Sequence, residues 1–271
     1  MRYKSKISVC IPTFNSSKFI KRTIASILKQ TYTNFSLHIV DDRSTDDTIK
    51  IIERMKDKRI IIHKQNVNKG IFANLNKCLA ISSSPYIKIV CADDILESTS
   101  LEKQVYILEK NKNVVLVYNS SKIIDLKDKV IFRRKFFNED KKINGGVLIN
   151  KILKTGRNPI GEPTSIMLRR ATLNKHKLKF SSRFKYVGDL DLWIRLLKHG
   201  DGYYINNCLN SFRVHKNSGT AKILHRATKE YMKLFNTYSE EFNLSVFDNF
   251  LIKIQLITYF LVKKLLIFLI K

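Results

Sequence analysis

SLHIVDD (residues 36–42) and YIKIVCADD (residues 86–94) decide how this chain reads. Each is a short apolar run of strand character that ends on adjacent aspartates, Asp41-Asp42 in one and Asp93-Asp94 in the other. In a parallel sheet the ligand-binding loops leave the carboxyl ends of the strands, so two strand-end acidic pairs can converge on one crevice. Successive side chains near a strand end point in different directions, which gives the two members of a pair different tasks. One carboxylate can accept from a base or a ribose hydroxyl while its neighbour holds a divalent cation against a diphosphate. Either pair alone also suits a turn or a helix cap. Both together, in one alternating pattern of strands and helices, point to a nucleotide diphosphate.

Outward from these two runs the alternation is regular. ISVCI (residues 7–11) reads as a buried strand, and Asn15 or Ser16 can cap a following helix whose apolar positions Phe19, Ile20, Ile24, Ile27 and Leu28 recur at helical spacing. Ser44, with Asp47 three residues on, has the form of a capping box for a helix that buries Ile49, Ile52 and Met55. RIIIH (residues 59–63) is a third strand, a helix spans about residues 70–80, and YIKIV is the fourth strand. Strands separated by helices imply right-handed crossovers and a mainly parallel sheet, so residues 1–95 read as the nucleotide-binding half of a doubly wound α/β fold. No GxGxxG or GxxxxGK[ST] follows any strand, which excludes the usual glycine cradles for a diphosphate. A cation held by a carboxylate is the other way to manage that charge.

The chain has 271 residues, 44% of them hydrophobic, which suits one large α/β domain or one domain with a C-terminal appendage. Four cysteines, Cys10, Cys78, Cys91 and Cys208, are widely spaced and read as reduced thiols, with Cys10 and Cys91 buried in apolar runs. The basic start meets Pro12 before any uninterrupted apolar segment, so no signal peptide and a cytoplasmic location are expected. A net charge of +27 predicts attraction to polyanions. The lysines are spread along the chain and not interleaved with aromatics in a known module, so an anionic surface is expected and a nucleic-acid partner is not.

The motifs ISVCIPTFN, IVDDRSTDDT, NVNKGIFANLNKCL, IVCADD, GEPTSIMLRR, GDLDLWIRL and FRVHKNSGT follow one another between about residues 6 and 220. In this order the chain resembles the inverting glycosyltransferases of family 2, which have the GT-A fold. The resemblance implies a GT-A domain over residues 1–220, with a nucleotide half (1–95) and an acceptor half (96–220). It implies that Pro12, Thr13 and Asn15 shape the first nucleotide loop, with Thr13 and Phe14 against the base. Asp42 would accept from the uracil ring nitrogen, Asp41 would support the loop, and Asn68, Gly70 and Asn74 would pack beneath the nucleotide. Asp93 would lie near the ribose and Asp94 on Mg²⁺ or Mn²⁺. Arg213 would contact the diphosphate, and His215 the metal or a phosphate oxygen. Glu162 would face the acceptor.

Inversion needs a base opposite the leaving group. The resemblance assigns it to Asp189, with Asp191 as second candidate because Gly188 stands where many relatives carry Glu. Both aspartates also suit a helix N-terminus electrostatically. Trp193 reads as core. The implied reaction is metal-dependent transfer of a hexosyl or N-acetylhexosaminyl group from a nucleotide sugar, a UDP-sugar, to a hydroxyl of a growing surface glycan such as lipopolysaccharide or capsule, free or lipid-linked. Two other classes remain: a non-catalytic basic nucleic-acid-binding protein, and a degenerate transferase acting as an assembly partner. Retained Asp42, Asp94, Asp189 and His215 argue against the second.

Residues 221–271 are expected to form a C-terminal helical segment, and their end, NFLIKIQLITYFLVKKLLIFLIK (residues 249–271), is apolar but interrupted by lysines. Its uncharged stretches fall far short of the ~20 residues that span a bilayer. On a helix Lys253, Lys264 and Lys271 share a stripe, the design of an in-plane helix on an anionic membrane. The alternative is a helix that covers the domain or seals a subunit interface.

Overall fold

The computed structural model describes residues 5–155, 158–215 and 226–242, together with the single positions Ile223, Ile254 and Leu256. Lys253, Lys264 and Lys271, on which the interfacial-helix expectation rests, lie outside the described residues, as do residues 216–220 of the FRVHKNSGT motif.

The first half follows the sequence pattern. Its elements are β1 (Ile7–Thr13), α1 (Ile20–Leu28), β2 (Phe35–Asp41), α2 (Thr48–Glu53), β3 (Ile60–Lys64), α3 (Ile71–Ile81) and β4 (Tyr86–Ile89). All seven residues of β1 are buried, as a strand covered on both faces requires. The strands pair in parallel in the order β3-β2-β1-β4, in a register that sets Thr13 beside Asp41 and Cys10 beside Ile89.

The second half adds β5 (Ile95–Leu96), α4 (Ser100–Lys110), β6 (Val114–Ile124), β7 (Val130–Arg134), β8 (Lys141–Ile143), α5 (Gly145–Thr155), β9 (Ile166–Arg169), α6 (Arg170–Lys175), α7 (Gly188–Leu197), β10 (Asp201–Arg213) and α8 (Ala227–Tyr238). It continues the same sheet, in the order β4-β9-β6-β10-β5. Here the sheet is mixed: β9 lies antiparallel between β4 and β6, β10 runs parallel to β6, and β5, β7 and β8 pair antiparallel. Side chains of α1, α2 and α4 form the core on one face, and those of α3, α5, α6, α7 and α8 the core on the other. Trp193 is buried in the latter, where its Nε1 donates to the Gly161 carbonyl at 3.3 Å.

Two local expectations change. Asn15 adopts a left-handed φ of 48° and its Oδ1 accepts from the Thr45 amide at 2.8 Å, so it ties the loop after β1 to the loop after β2 and does not cap α1. Ser44 likewise donates its hydroxyl to Asp41 Oδ1 at 2.5 Å, while Asp46 Oδ1 accepts from the Thr48 amide at 3.0 Å where α2 begins. The capping box is not formed, because the two loops compete for the same side chains. Strand β10 has 13 residues; Arg213 ends it and His215 lies two residues beyond.

The helix α8 belongs to the packed domain. Tyr231, Leu234, Phe235 and Tyr238 recur at i, i+3, i+4 and i+7 and are buried in the same core as α7. A boundary at residue 220 therefore separates in sequence what packing joins. The four cysteines are free thiols; Cys10 and Cys78 are buried, and Cys91, just past β4, is only half-buried. Among the described residues no helix is long and apolar enough to cross a membrane.

Candidate active site

The site grows from the carboxyl ends of β1, β2 and β4. Asp41 serves its own loop: Thr13 Oγ1 donates to Oδ1 at 3.2 Å, and the Ser44 amide donates to Oδ2 at 2.9 Å. Asp42 is buried, and its carboxylate accepts from the Lys69 amide at 2.8 Å, the Gly70 amide at 2.8 Å and Gln65 Nε2 at 3.0 Å. A carboxylate has about four lone-pair positions, so one is left on Asp42 for a ring N–H. Gly70 presents its amide from a φ of 82°, which favours glycine, and Asn68 Oδ1 also accepts from that amide at 3.2 Å. Asn74, expected beneath the nucleotide, is a buried staple: its Nδ2 donates to the Val40 carbonyl at 2.9 Å and to the Thr13 carbonyl at 3.3 Å. Pro12 is buried within β1, and Phe14 beyond it is 49% exposed, an open apolar face at the loop.

At the end of β4 the two aspartates differ in burial and in partners. Asp94 is 0% exposed; Thr164 Oγ1 donates to its Oδ2 at 2.5 Å and the Arg213 amide donates to its Oδ1 at 3.0 Å. Burial, and then the neighbouring charge of Asp93, hold its carboxyl well above the usual carboxylate range. Asp93 is the accessible member. Its Oδ2 faces His215 Nε2 at 3.1 Å, with the two side chains 27% and 12% exposed. His215 rests against Phe19, ring centroids 5.3 Å apart. Arg213 lies beside them: its buried guanidinium donates to the carbonyls of Asp93 at 2.8 Å and Asp125 at 2.7 Å and pairs with Asp128 at 2.5 Å. A guanidinium so engaged clamps the loop from behind.

Beneath Asp94 lies a residue whose meaning the sequence reading passed over. Lys88 of β4 is fully buried, and its Nζ donates to the Thr164 carbonyl at 2.6 Å and to Gln104 Oε1 at 2.8 Å. Gln104 in turn donates to Asn119 Oδ1 at 2.8 Å and the Ser165 carbonyl at 2.9 Å. Burial pushes the Lys88 pKa down to about 7, against the opposing pull of Asp94. The unfolded chain, with an ordinary lysine near pH 10.5, binds more protons than the folded one above pH 7. Stability contributed here therefore rises with pH between about 7 and 10, by up to ~1.4 kcal/mol per unit, and is lost as pH falls through 7. Lys88→Met is expected to remove that rise. Urea denaturation of both proteins at pH 7 and pH 9 measures it, and identical differences between the two pH values would refute it.

The third wall is the start of α7. Asp189 is half-buried, and its Oδ1 accepts from the Leu190 amide at 2.7 Å, within its own first turn. Asp191 is buried and spent on packing: Arg195 donates to its Oδ2 through Nη2 at 2.7 Å and Nε at 3.0 Å, and Tyr238 donates its hydroxyl to Oδ1 at 2.8 Å. Burial, with Asp191 beside it, raises the Tyr238 pKa. From α8, Glu230 Oε2 accepts from the Tyr186 amide at 2.6 Å and caps the turn that leads into α7. At Gly188 a Cβ would stand 2.5 Å from the Phe72 ring, so the space at this position suits glycine. Glu162 accepts from Arg134 Nη1 at 2.8 Å and also pairs with Nη2.

The walls touch. The turn Pro163–Ser165 carries Thr164 onto Asp94, Gly161 on the same loop meets Trp193 of α7, and α3 runs from the Gly70 contact with Asp42 to the Phe72 contact with Gly188. Sequence reasoning missed Lys88, Gln104, Thr164, Asp128, Arg134 and Glu230. Only Lys88 carried a signal, a lysine inside an otherwise apolar strand.

The family model described as glycosyl transferase family 2 matches residues 8–176. The chain is 31% identical over 218 residues, 79% of this chain and 80% of the other, to the Escherichia coli UDP-Glc:alpha-D-GlcNAc-diphosphoundecaprenol beta-1,3-glucosyltransferase WfaP. To WfgD of the same organism, which bears the same description, it is 33% identical over 201 residues, 74% of this chain and 73% of the other. The structure of Staphylococcus aureus TarS 1-349 with UDP-GlcNAc superposes with a TM-score of 0.72 at 18% identity, over 93% of this chain and 71% of that one. The mannosyltransferase PcManGT of Pyrobaculum calidifontis, with GDP-Man and Mn²⁺, gives 0.67 at 15%, over 95% of this chain and 74% of that one. At such identities the likeness speaks for the GT-A fold alone. The sequence match does more: the chain belongs to glycosyl transferase family 2.

Proposed function

We propose that this glycosyltransferase transfers a hexosyl or N-acetylhexosaminyl group, with inversion, from a UDP-sugar to a hydroxyl of a lipid-linked glycan that becomes a surface polysaccharide such as lipopolysaccharide or capsule, with Mn²⁺ or Mg²⁺ at the donor diphosphate. The observation that carries this reading is the Asp93–His215 pair, 3.1 Å apart at the end of β4, with Asp94 buried beneath it. Among the described residues no group of three or more His, Cys, Asp or Glu is placed to hold a metal ion. One carboxylate and one imidazole nevertheless fit a cation whose remaining ligands come from substrate phosphate and water, as is usual for Mg²⁺ and suitable for Mn²⁺. Such an ion offsets the negative charge that collects on the departing diphosphate.

This chain's own residues do the rest. The remaining acceptor position on Asp42, beside exposed Phe14, suits the N–H of a uracil ring. Asp189 takes the proton of the acceptor hydroxyl as its oxygen bonds to the anomeric carbon and the bond from that carbon to the diphosphate oxygen breaks. Glu162, held by Arg134, faces the acceptor side, and Arg213 fixes the Asp93 loop without touching phosphate. The names of WfaP and WfgD support a UDP-sugar donor and a lipid-diphosphate acceptor. GDP-Man in PcManGT makes the base the point to measure. UDP-, GDP- and dTDP-sugars are therefore to be screened for binding and hydrolysis with and without Mn²⁺. A UDP-sugar requiring Mn²⁺ is the expected result; equal binding without metal, or preference for GDP, would overturn it.

A further inference from the structure

The hairpin that joins β6 to β7 has a composition that neither the core nor the transfer site explains. Strand β7 pairs only with the end of β6, from Ser121 to Ile124, and among the described residues its other edge has no strand partner. Of the large hydrophobic side chains exposed among the described residues, four fall within seven positions here: Leu126 at 37%, Val130 at 43%, Ile131 at 39% and Phe132 at 46%. Between and beside them stand Lys127, Lys129, Arg133 and Lys135, and no ion pair holds any of the four among the described residues. The acidic groups of the loop are already engaged: Asp128 pairs with Arg22 at 2.9 Å and with Arg213, and Asp125 Oδ1 accepts from the Lys127 amide at 2.8 Å and the Lys129 amide at 2.9 Å.

Edge strands commonly carry lysine to block strand addition, which accounts for the charge but not for adjacent exposed Val, Ile and Phe. Consecutive strand residues point to opposite faces, so a protein partner lying on one face would cover only alternate side chains. A medium that surrounds the edge covers all of them. An anionic bilayer is such a medium: its phosphates meet the unpaired cations, and its acyl boundary takes up the apolar side chains. We propose that the hairpin from Leu126 to Lys135 docks this protein on an anionic membrane surface. Arg213, which binds the Asp125 carbonyl and Asp128 at one end and the Asp93 carbonyl at the other, ties the docked edge to the transfer site. The docking does not depend on the donor or acceptor proposed above, and its test uses neither.

The full chain, the Ile131→Ser/Phe132→Ser variant and the Lys127→Glu/Lys129→Glu variant are to be floated with vesicles of phosphatidylglycerol and phosphatidylcholine, or of phosphatidylcholine alone, at low and high salt. The unaltered chain is expected to float with the anionic vesicles only, less so at high salt. Each variant is expected to lose at least about tenfold in partitioning, the scale set by two interfacial cations, at an unchanged melting temperature. The lysine pair is exposed and unpaired, so that variant decides the matter even if the apolar one folds poorly. Flotation equal to the unaltered chain overturns the proposal. So does a failure of the unaltered chain to float, equal binding to neutral vesicles, or variants that lose affinity for a single-stranded oligonucleotide while floating normally.

Discussion

Asp189→Asn is expected to lower transfer by at least ~10²-fold, about 2.7 kcal/mol of barrier, while nucleotide affinity stays as it was. The amide has nearly the same size, and its oxygen can still accept from the Leu190 amide, now at 2.7 Å, so the first turn of α7 keeps its geometry. What is lost is the ability to take a proton. The neighbouring Asp191→Asn is expected to behave differently, because Asp191 accepts from both Arg195 and Tyr238 in a buried contact that seats α8 on α7. Its loss should appear first as a lower melting temperature. Single-turnover transfer, nucleotide titration and thermal melting on both variants separate the two roles. Near-normal transfer by Asp189→Asn would end the assignment.

That division between the two aspartates shows where sequence stops being sufficient. The strands β1 to β4 and the helices α1 and α3 were legible because each is a local pattern: continuous apolar runs for the strands, of which β1, β2 and β4 are covered on both faces and β3 is partly open, and a 3.6-residue repeat for helices. The mixed second half was not. Strand β9 has four residues, and nothing within IMLR says that it must run antiparallel between β4 and β6. The capping residues failed for a related reason. Ser44 matches a cap locally, but Asp41, at the end of the preceding strand, offers its hydroxyl a better acceptor in the folded chain. Which carboxylate of a pair is accessible is decided at longer range still. Asp94 is closed off by Thr164 and Arg213, 70 and 119 residues away, and Arg213 is itself taken up by Asp128. Motif order identified the family, whereas the roles inside each motif were set by partners that no local spacing encodes.

The same closure makes Asp93 and Asp94 respond oppositely to removal. Asp93→Ala is expected to keep the fold, since the side chain it removes is partly exposed and, among the described residues, makes a polar contact only with His215, and to abolish the metal-dependent part of nucleotide binding. The loss should exceed the ~10–100-fold typical of changes behind a metal ligand, because on the proposed reading one of the two protein donors to the cation would disappear. Asp94→Ala instead strands the Thr164 hydroxyl proton and the Arg213 amide in a buried site, each at a cost of about 1–3 kcal/mol. Asp94→Asn restores one acceptor and should fall between. Calorimetry with UDP, with and without Mn²⁺, beside thermal melting of the three variants, distinguishes these outcomes. If Asp94→Asn melts normally and loses metal-dependent binding while Asp93→Ala retains it, the cation belongs to Asp94, and its protein donors must open when the donor substrate arrives.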